Sequence, residues 1–472
     1  MITRREFLIG LSGAGFAAQP QKKRPNIVLL LLDDLGWRDF ACYGHPVHET
    51  PNVDRLAAEG VKFTDAYAAC PVCSPTRASI MTGKYPARLH LTDWIPGRKQ
   101  WPTAKLLTPK FEQALPLREV TIAEALKPLG YRSASIGKWH LGGQGYLPTD
   151  QGFDVNVAGD HRGAVRSYFG PFDLPGLEGT TKDDYITEKL TEAAEKFIQD
   201  SAPKGPFFLY LPEYTVHIPL NARKEAIEKY RRKIGDKKFP DATYAAMVES
   251  FDIALGRIRK KLDEMRVADN TVIIVTSDNG GLRYEGSSKN LVTDNSPLRA
   301  GKGHLYEGGV REPLIIYWPG VTKAGTVTNV PACSIDLLPT IVEIAGGKAP
   351  RDIDGVSLVS LLRGGQPPQR EALYWHYPHY SNQGGTPSGA IRKGDYKLIE
   401  FYEDGRLELF NLKDDIGERR NLAKAQPKVA AELHGMLKKW RASVNAAMPQ
   451  PNPHYDPAQA DQHLTGAEPP TP

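Results

Sequence analysis

The chain has 472 residues, with 60 Lys and Arg against 55 Asp and Glu for a formal charge of +5, and it is 40% hydrophobic and 24% charged. That length and composition make a globular protein with a sizeable core and more than one domain, and exclude collagenous, coiled-coil and mainly disordered classes. The short Arg231-Arg232-Lys233 and Arg259-Lys260-Lys261 runs read as solvated helix faces, so no nucleic acid is expected as a partner.

Residues 1–18, with Arg4-Arg5 ahead of a short glycine-rich apolar run to Ala18, have the form of a twin-arginine signal peptide. The pattern predicts export machinery as a partner and a periplasmic or secreted location. The run is too short to cross a bilayer as a stable helix, and no other segment is long and apolar enough, so no stable membrane span is expected.

Asn26 to Leu32 is a continuous apolar run, which suits a central strand covered on both faces, and it ends abruptly in Asp33-Asp34. Thr50-Pro51 opens a helix that runs to Glu59 and stops at Gly60. Val61 to Ala69 then delivers the chain to Cys70 to Gly83, C-P-V-C-S-P-T-R-A-S-I-M-T-G. There a proline and an arginine follow Cys73 closely, placing it at a helix N-terminus where backbone N–H groups and a guanidinium converge. That is a place for an anion. The four cysteines, Cys42, Cys70, Cys73 and Cys333, are too few for a disulfide framework and form no zinc-type double pair.

The strand-then-polar-cluster pattern recurs. Gly130 to Ile136 reads as a helix stop and a strand, ending in Gly137-Lys138-Trp139-His140; Phe207 to Leu211 is followed by a loop carrying His217; Thr271 to Thr276 ends in Ser277-Asp278-Asn279-Gly280. Amphipathic helices are expected over Asp183–Asp200 and Asp241–Arg266. Strands alternating with helices predict an α/β fold, a large mostly parallel sheet sandwiched by helices. In such sheets ligands bind outside the carboxyl ends of the strands.

Singly, each polar residue at these ends has a plain structural explanation, as a turn acceptor or a hydrogen-bonded core histidine. Together they form a chemistry. Asp33, Asp34, Asp278 and Asn279 make a hard, all-oxygen donor set that suits Ca²⁺ or Mg²⁺ far better than zinc. Arg77, Lys138, His140, His217 and Lys302, the last from the Gly301-Lys302-Gly303-His304 loop, stand against them, and a metal with cations implies an anionic substrate.

Cys73-Ser74-Pro75-Thr76-Arg77, continuing to Thr82-Gly83, resembles the signature of the type I sulfatases of the alkaline-phosphatase-like superfamily, in which that cysteine is oxidised to Cα-formylglycine. The Gly-Lys-Trp-His-Leu-Gly block around Lys138 resembles the family's second signature, and the remaining elements occur in family order from about Pro25 to Leu422. The resemblance implies a sulfuric ester hydrolase using one Ca²⁺, with Asp33, Asp34, Cys73, Asp278 and Asn279 as metal ligands and residue 73, as formylglycine, the nucleophile. It implies Arg77, Lys138 and Lys302 as charge-stabilising groups; of the two histidines, His217 is the candidate acid for the leaving alcohol and His140 the candidate base for sulfate release, with the reverse assignment as the alternative. A formylglycine-generating or sulfatase-maturating enzyme becomes a required partner, and a sulfated carbohydrate, from polysaccharide or glycosaminoglycan, the expected substrate. Two other readings are a phosphoester or phosphonate ester hydrolase of the same superfamily and an unmodified glycan-binding protein. A two-zinc phosphatase would want histidine where Asn279 stands.

Domain boundaries are expected at 24–365 for the catalytic domain, 366–446 for a smaller C-terminal antiparallel sheet with one packed helix, and 447–472 for a flexible proline-rich tail. In the small sheet Gly389–Tyr402 and Arg406–Leu412 read as two strands joined by an Asp-Gly turn, followed by a helix over Pro427–Val444. Trp94, Arg98, His376 and His379 are further candidates for the substrate pocket.

Overall fold

The computed structural model describes residues 23–237, 239–284 and 291–459. The expected export signal, 1–18, lies outside them. Asn26–Leu32 (β1) is a strand with every residue buried. Its alternate side chains feed two apolar layers, with Val28, Leu30 and Leu32 on one face and Ile27, Leu29 and Leu31 on the other. Each such leucine contributes roughly 1.5–3 kcal/mol of burial, which is why a seven-residue apolar run is stable only with helices on both sides.

The other strands of this sheet are Val61–Tyr67 (β2), Arg132–Ile136 (β3), Val155–Val157 (β4), Phe207–Pro212 (β5), Thr271–Ser277 (β6), Arg311–Tyr317 (β7), Thr326–Thr328 (β8) and Ala332–Cys333 (β9). Their order is β9-β2-β7-β6-β1-β5-β3-β4, with β8 also on β2. The centre is parallel, β1 pairing β5 and β6. One strand breaks the rule: β7 runs antiparallel to both β6 and β2. Pro313 inside β7 is accommodated because it falls at a register irregularity against β2, between the Glu312–Ala66 and Leu314–Phe63 pairs, and a bulge is one of the few places where a sheet tolerates proline's missing N–H.

Pro51–Glu59 (α1), Ile186–Ser201 (α3) and Ala242–Glu264 (α4) pack on one face. Cys73–Thr82 (α2) and Leu337–Ile344 (α5) supply the other. Among the described residues no helix is long and apolar enough to cross a membrane.

Four antiparallel strands, Leu373–Tyr377 (β10), Ser388–Lys393 (β11), Tyr396–Phe401 (β12) and Leu407–Asn411 (β13), form the small sheet, against which Pro427–Ser443 (α6) packs. The stretch 389–402 is therefore two strands, not one, because Gly394 (φ +56°) turns the chain between Lys393 and Tyr396. The proline-rich segment expected to be loose is pinned at its start: Gln450–Pro451 pairs with Leu106–Leu107, and the Asn452 amide donates to the carbonyls of Pro102 and Ala104.

Candidate active site

Helix α2 begins at Cys73, with Val72 extended before it and Gly83 in the left-handed region after it. All ten of its residues are buried. The run therefore serves as a buried peg that carries Cys73 and Arg77 to the carboxyl edge of the sheet. Arg77 spans that edge. Its Nε donates to Asp278 Oδ2 (2.9 Å), Nη1 to the Lys138 carbonyl (2.8 Å), and Nη2 lies 3.8 Å from Asp33 Oδ2. One guanidinium thus ties the ends of β1, β3 and β6 to α2, a planar fork that lysine could not replace.

The carboxylates are each met by a cation. Lys138 Nζ donates to Asp33 Oδ2 (2.6 Å), and Lys302 Nζ lies 2.6 Å from Asp34 Oδ1. Asn279 Nδ2 donates to Asp34 Oδ1 (2.8 Å), and the Asp34 amide donates to Asp278 Oδ1 (3.2 Å). Donor atoms of Asp33, Asp34 and Cys73 lie within 4.8 Å of one another. Within this carboxylate–amide set, Asp33 Oδ1 and Asn279 Oδ1 are buried and have no partner among the described residues. An unpaired buried acceptor is costly. Here both sit in an oxygen-rich cluster, the donor set a hard divalent cation takes.

Burial, with Asp278 and Asp34 adding repulsion, pushes the Asp33 carboxyl up to about 7 against the pull of Lys138 and Arg77. Burial pushes Asp34 the same way, but Lys302, His217 and Lys138 outweigh it and hold that carboxyl well below its usual range. Carboxylates crowded this closely want a cation between them. For the Cys73 thiol, burial is again the largest influence and raises it, assisted by Asp33 and Asp278, over the opposing Lys138 and Lys302. Cysteine nucleophiles are lowered, not raised.

A cavity of about 440 Å³ opens on this cluster, with Cys73, His140, His217 and Lys302 in its lining. Arg77 and Lys138, both fully buried, lie behind these groups and hold carboxylates. The His217 ring donates from Nδ1 to the Ile218 carbonyl (2.7 Å), which leaves the Nε2 lone pair 3.6 Å from Asp34 Oδ2. Burial and the two lysines, partly opposed by Asp34, press its pKa down to about 3. Burial, then Lys138, holds His140 well below the usual range too.

Of the further pocket candidates only Trp94 lines this cavity. His376 is buried between the Tyr402 hydroxyl and the Ala447 carbonyl. His379 bonds Thr92 and, with Arg98, borders a smaller pocket next door. His161, Arg162, Asn382 and Gln383 complete the main wall. They stand in loops with no periodicity or motif, and only their nearness in the fold marks them.

Asp39, His45 and His48 form a second compact cluster, much of whose hydrogen bonding is local. His45 Nδ1 accepts the amide protons of Val47 and His48 (3.2 and 2.9 Å), so its proton is on Nε2 and no lone pair remains there. Asp39 is consumed by Gly36 N, the Tyr244 hydroxyl and Thr293. The cluster knits the loop after β1.

Comparison with known proteins places these features. The sulfatase family model matches residues 25–347, and the C-terminal model of N-sulphoglucosamine sulphohydrolase matches 300–443. The chain is 33% identical to a sulfatase of Formosa agariphila, covering 93% of each. It is 34% identical to human N-acetylgalactosamine-6-sulfatase over 77% of this chain and 70% of the relative. The crystal structure of Ps i-CgsB in complex with k-i-k-neocarrahexaose superimposes with a TM-score of 0.76 at 29% identity, covering 93% of this chain and 96% of that one. With α2 bearing Cys73 at the carboxyl edge of a doubly covered sheet, and matches of this extent, the chain belongs to the sulfatase family of the alkaline-phosphatase-like superfamily and is a sulfuric ester hydrolase.

Proposed function

We propose that the protein hydrolyses sulfate monoesters of sugars with a formylglycine made from Cys73 by a maturation enzyme, and with one Ca²⁺ held by Asp33, Asp34, Asp278, Asn279 and residue 73. The observation that carries this reading is the pair of buried, partnerless oxygens, Asp33 Oδ1 and Asn279 Oδ1, in an all-oxygen cluster beside a cysteine whose thiol is pushed up. With residue 73 as formylglycine and calcium bound at these ligands, the hydrated aldehyde would offer two hydroxyls at one carbon, one for attack on sulfur and one for expulsion of sulfate.

The chain's own groups do the rest. Arg77 and Lys138 fix Asp278 and Asp33 in place. Lys302, which pairs with Asp34 and also faces the cavity, holds the sulfuryl oxygens as charge builds. His217 presents Nε2 at the rim; an anionic ester beside it opposes the burial and the two lysines that lower its pKa, so Nε2 takes a proton from solvent as the ester binds and passes it to the leaving alcohol. His140, whose Nδ1 is buried and unpartnered, is the site that takes up a proton during sulfate release.

For the leaving group, galactose and N-acetylgalactosamine sulfates are the substrates we favour. Support comes from the N-acetylgalactosamine-6-sulfatase relatives and from the neocarrahexaose bound by Ps i-CgsB. A cavity of about 440 Å³ is within the usual range for a small-molecule site. The twin-arginine pattern of residues 4–18 supports action in the periplasm or outside the cell.

Mass spectrometry of the peptide carrying residue 73, from protein made in its native host, is expected to show the aldehyde. A thiol throughout would overturn the reading. Cys73→Ala is expected to abolish turnover with the fold intact, and a chelator to inhibit until Ca²⁺ is restored; full activity in either case refutes the mechanism.

A further inference from the structure

The His140 imidazole is held on its edge and on its face by backbone. On the edge, Nε2 lies 2.5 Å from the Ile95 carbonyl oxygen. A carbonyl only accepts, so Nε2 carries the proton and Nδ1 the lone pair. That Nδ1 is buried and has no partner among the described residues. On the face lies Gly163. A Cβ built there would stand 2.4 Å from His140 Cε1, 2.6 Å from Nε2 and 2.9 Å from Nδ1. No real side chain fits, and the clash is with the ring itself.

The glycine is brought there by a turn. The Asp160 carboxylate accepts from the Arg162 amide (2.8 Å) and from Arg162 Nε (2.7 Å), while the Asp160 carbonyl accepts from the His140 amide (3.0 Å). His140 itself is held at φ +56°, a left-handed conformation that a non-glycine residue adopts only when its surroundings impose it. The turn 160–163 and the loop after β3 are thus built around one another, with the imidazole between them.

We propose that Gly163 is a positioning residue for catalysis: by lacking a side chain it leaves the slot in which the Ile95 carbonyl fixes His140 as the Nε2–H tautomer, directing the Nδ1 lone pair to the proton it must take. A ring free to rotate or change tautomer would present Nε2 or a carbon instead, and the base would be absent for part of the time. The catalytic consequence rests on the sulfatase mechanism above; the tautomer does not.

The test uses the full chain labelled with ¹⁵N-histidine, the His140 signals being identified by their loss in His140→Ala. The parent is expected to show a slowly exchanging Nε2–H at His140. In Gly163→Ala that proton is lost or shifts to fast exchange, and kcat falls by about 10-fold or more while KM changes by less than about 3-fold. An unchanged resonance with unchanged kcat would overturn the proposal. Should Gly163→Ala fail to fold, Asp160→Asn loosens the same turn without adding bulk, and unaltered exchange of the His140 proton there overturns it equally. A parent with the expected tautomer but no sulfatase activity would refute the mechanism and leave the clamp standing.

Discussion

Glu213, one residue past β5, is buried with neither carboxylate oxygen partnered among the described residues. Burial alone pushes its carboxyl up to about 8. A carboxyl raised on folding keeps its proton in the native state over a range where the unfolded chain has lost it, so its contribution is full below about pH 4.3 and is lost as pH rises through about 8. Glu213→Gln removes that dependence while keeping the shape. We expect the variant to match the parent near about pH 5 and to exceed it above about pH 8 by on the order of a few kcal/mol. Unfolding midpoints across that range, with calcium present so that Asp33 does not titrate as well, check this; an unchanged pH slope in the variant would assign the loss to another group.

At the scale of elements, what could be read from sequence followed the physics of each segment. Strand β1 was legible because a run buried on both faces must be apolar throughout, and the gathering of Asp33, Asp34 and Asp278 at one edge because carboxylates directly after such strands serve no core. Strand β7 was not: Arg311-Glu312-Pro313 opens it with two buried charged side chains and a proline, made acceptable by the Arg311–Glu307 pair and by the register irregularity opposite Pro313. Nor were Asn382, Gln383, His161 and Arg162, since loop residues become a wall only after the sheet has folded. Gly137 links the two levels. It sits at φ +126°, and a Cβ there would lie 2.0 Å from the Pro212 carbonyl, so β3 and β5 can approach closely only with glycine at this point. Gly137→Ala is expected to cost more than about 1 kcal/mol and, by displacing Lys138 from Asp33, to weaken calcium binding. Denaturant unfolding and calorimetric calcium titration together measure both, and a stable variant with parental affinity would contradict the argument.

At the scale of the whole molecule, the small sheet is bound to the large one by buried chemistry that also reaches the loop carrying Lys302. Trp375 of β10 donates to the Ala68 carbonyl (2.8 Å), and Arg392 of β11 pairs with Asp65 (2.6 Å). At the centre Lys397 of β12 stands 2.8 Å from Glu307 and 3.1 Å from Glu418, with all three side chains fully buried. Glu307 begins the turn just after Lys302 to His304 and is also gripped by Arg311 (2.6 Å). Burial would raise both carboxyls; Lys397 and Arg311 reverse this at Glu307 and hold it well below its usual range, whereas Glu418, repelled by Glu307, stays up near about 7. One lysine therefore serves two carboxyls in a dry seam. Removing it takes from Glu418 its lysine and leaves Glu307 to Arg311, the costly way to break such a network. Lys397→Met is expected to destabilise the protein by about 3–5 kcal/mol, with Glu418→Gln in the same background recovering part of the loss by removing the second acid. Because the seam lies under the Lys302 loop, the single variant should also lose sulfatase turnover at temperatures well below its own unfolding midpoint. Parental stability for Lys397→Met would mean that the apolar contacts around Trp375 hold the two sheets together unaided.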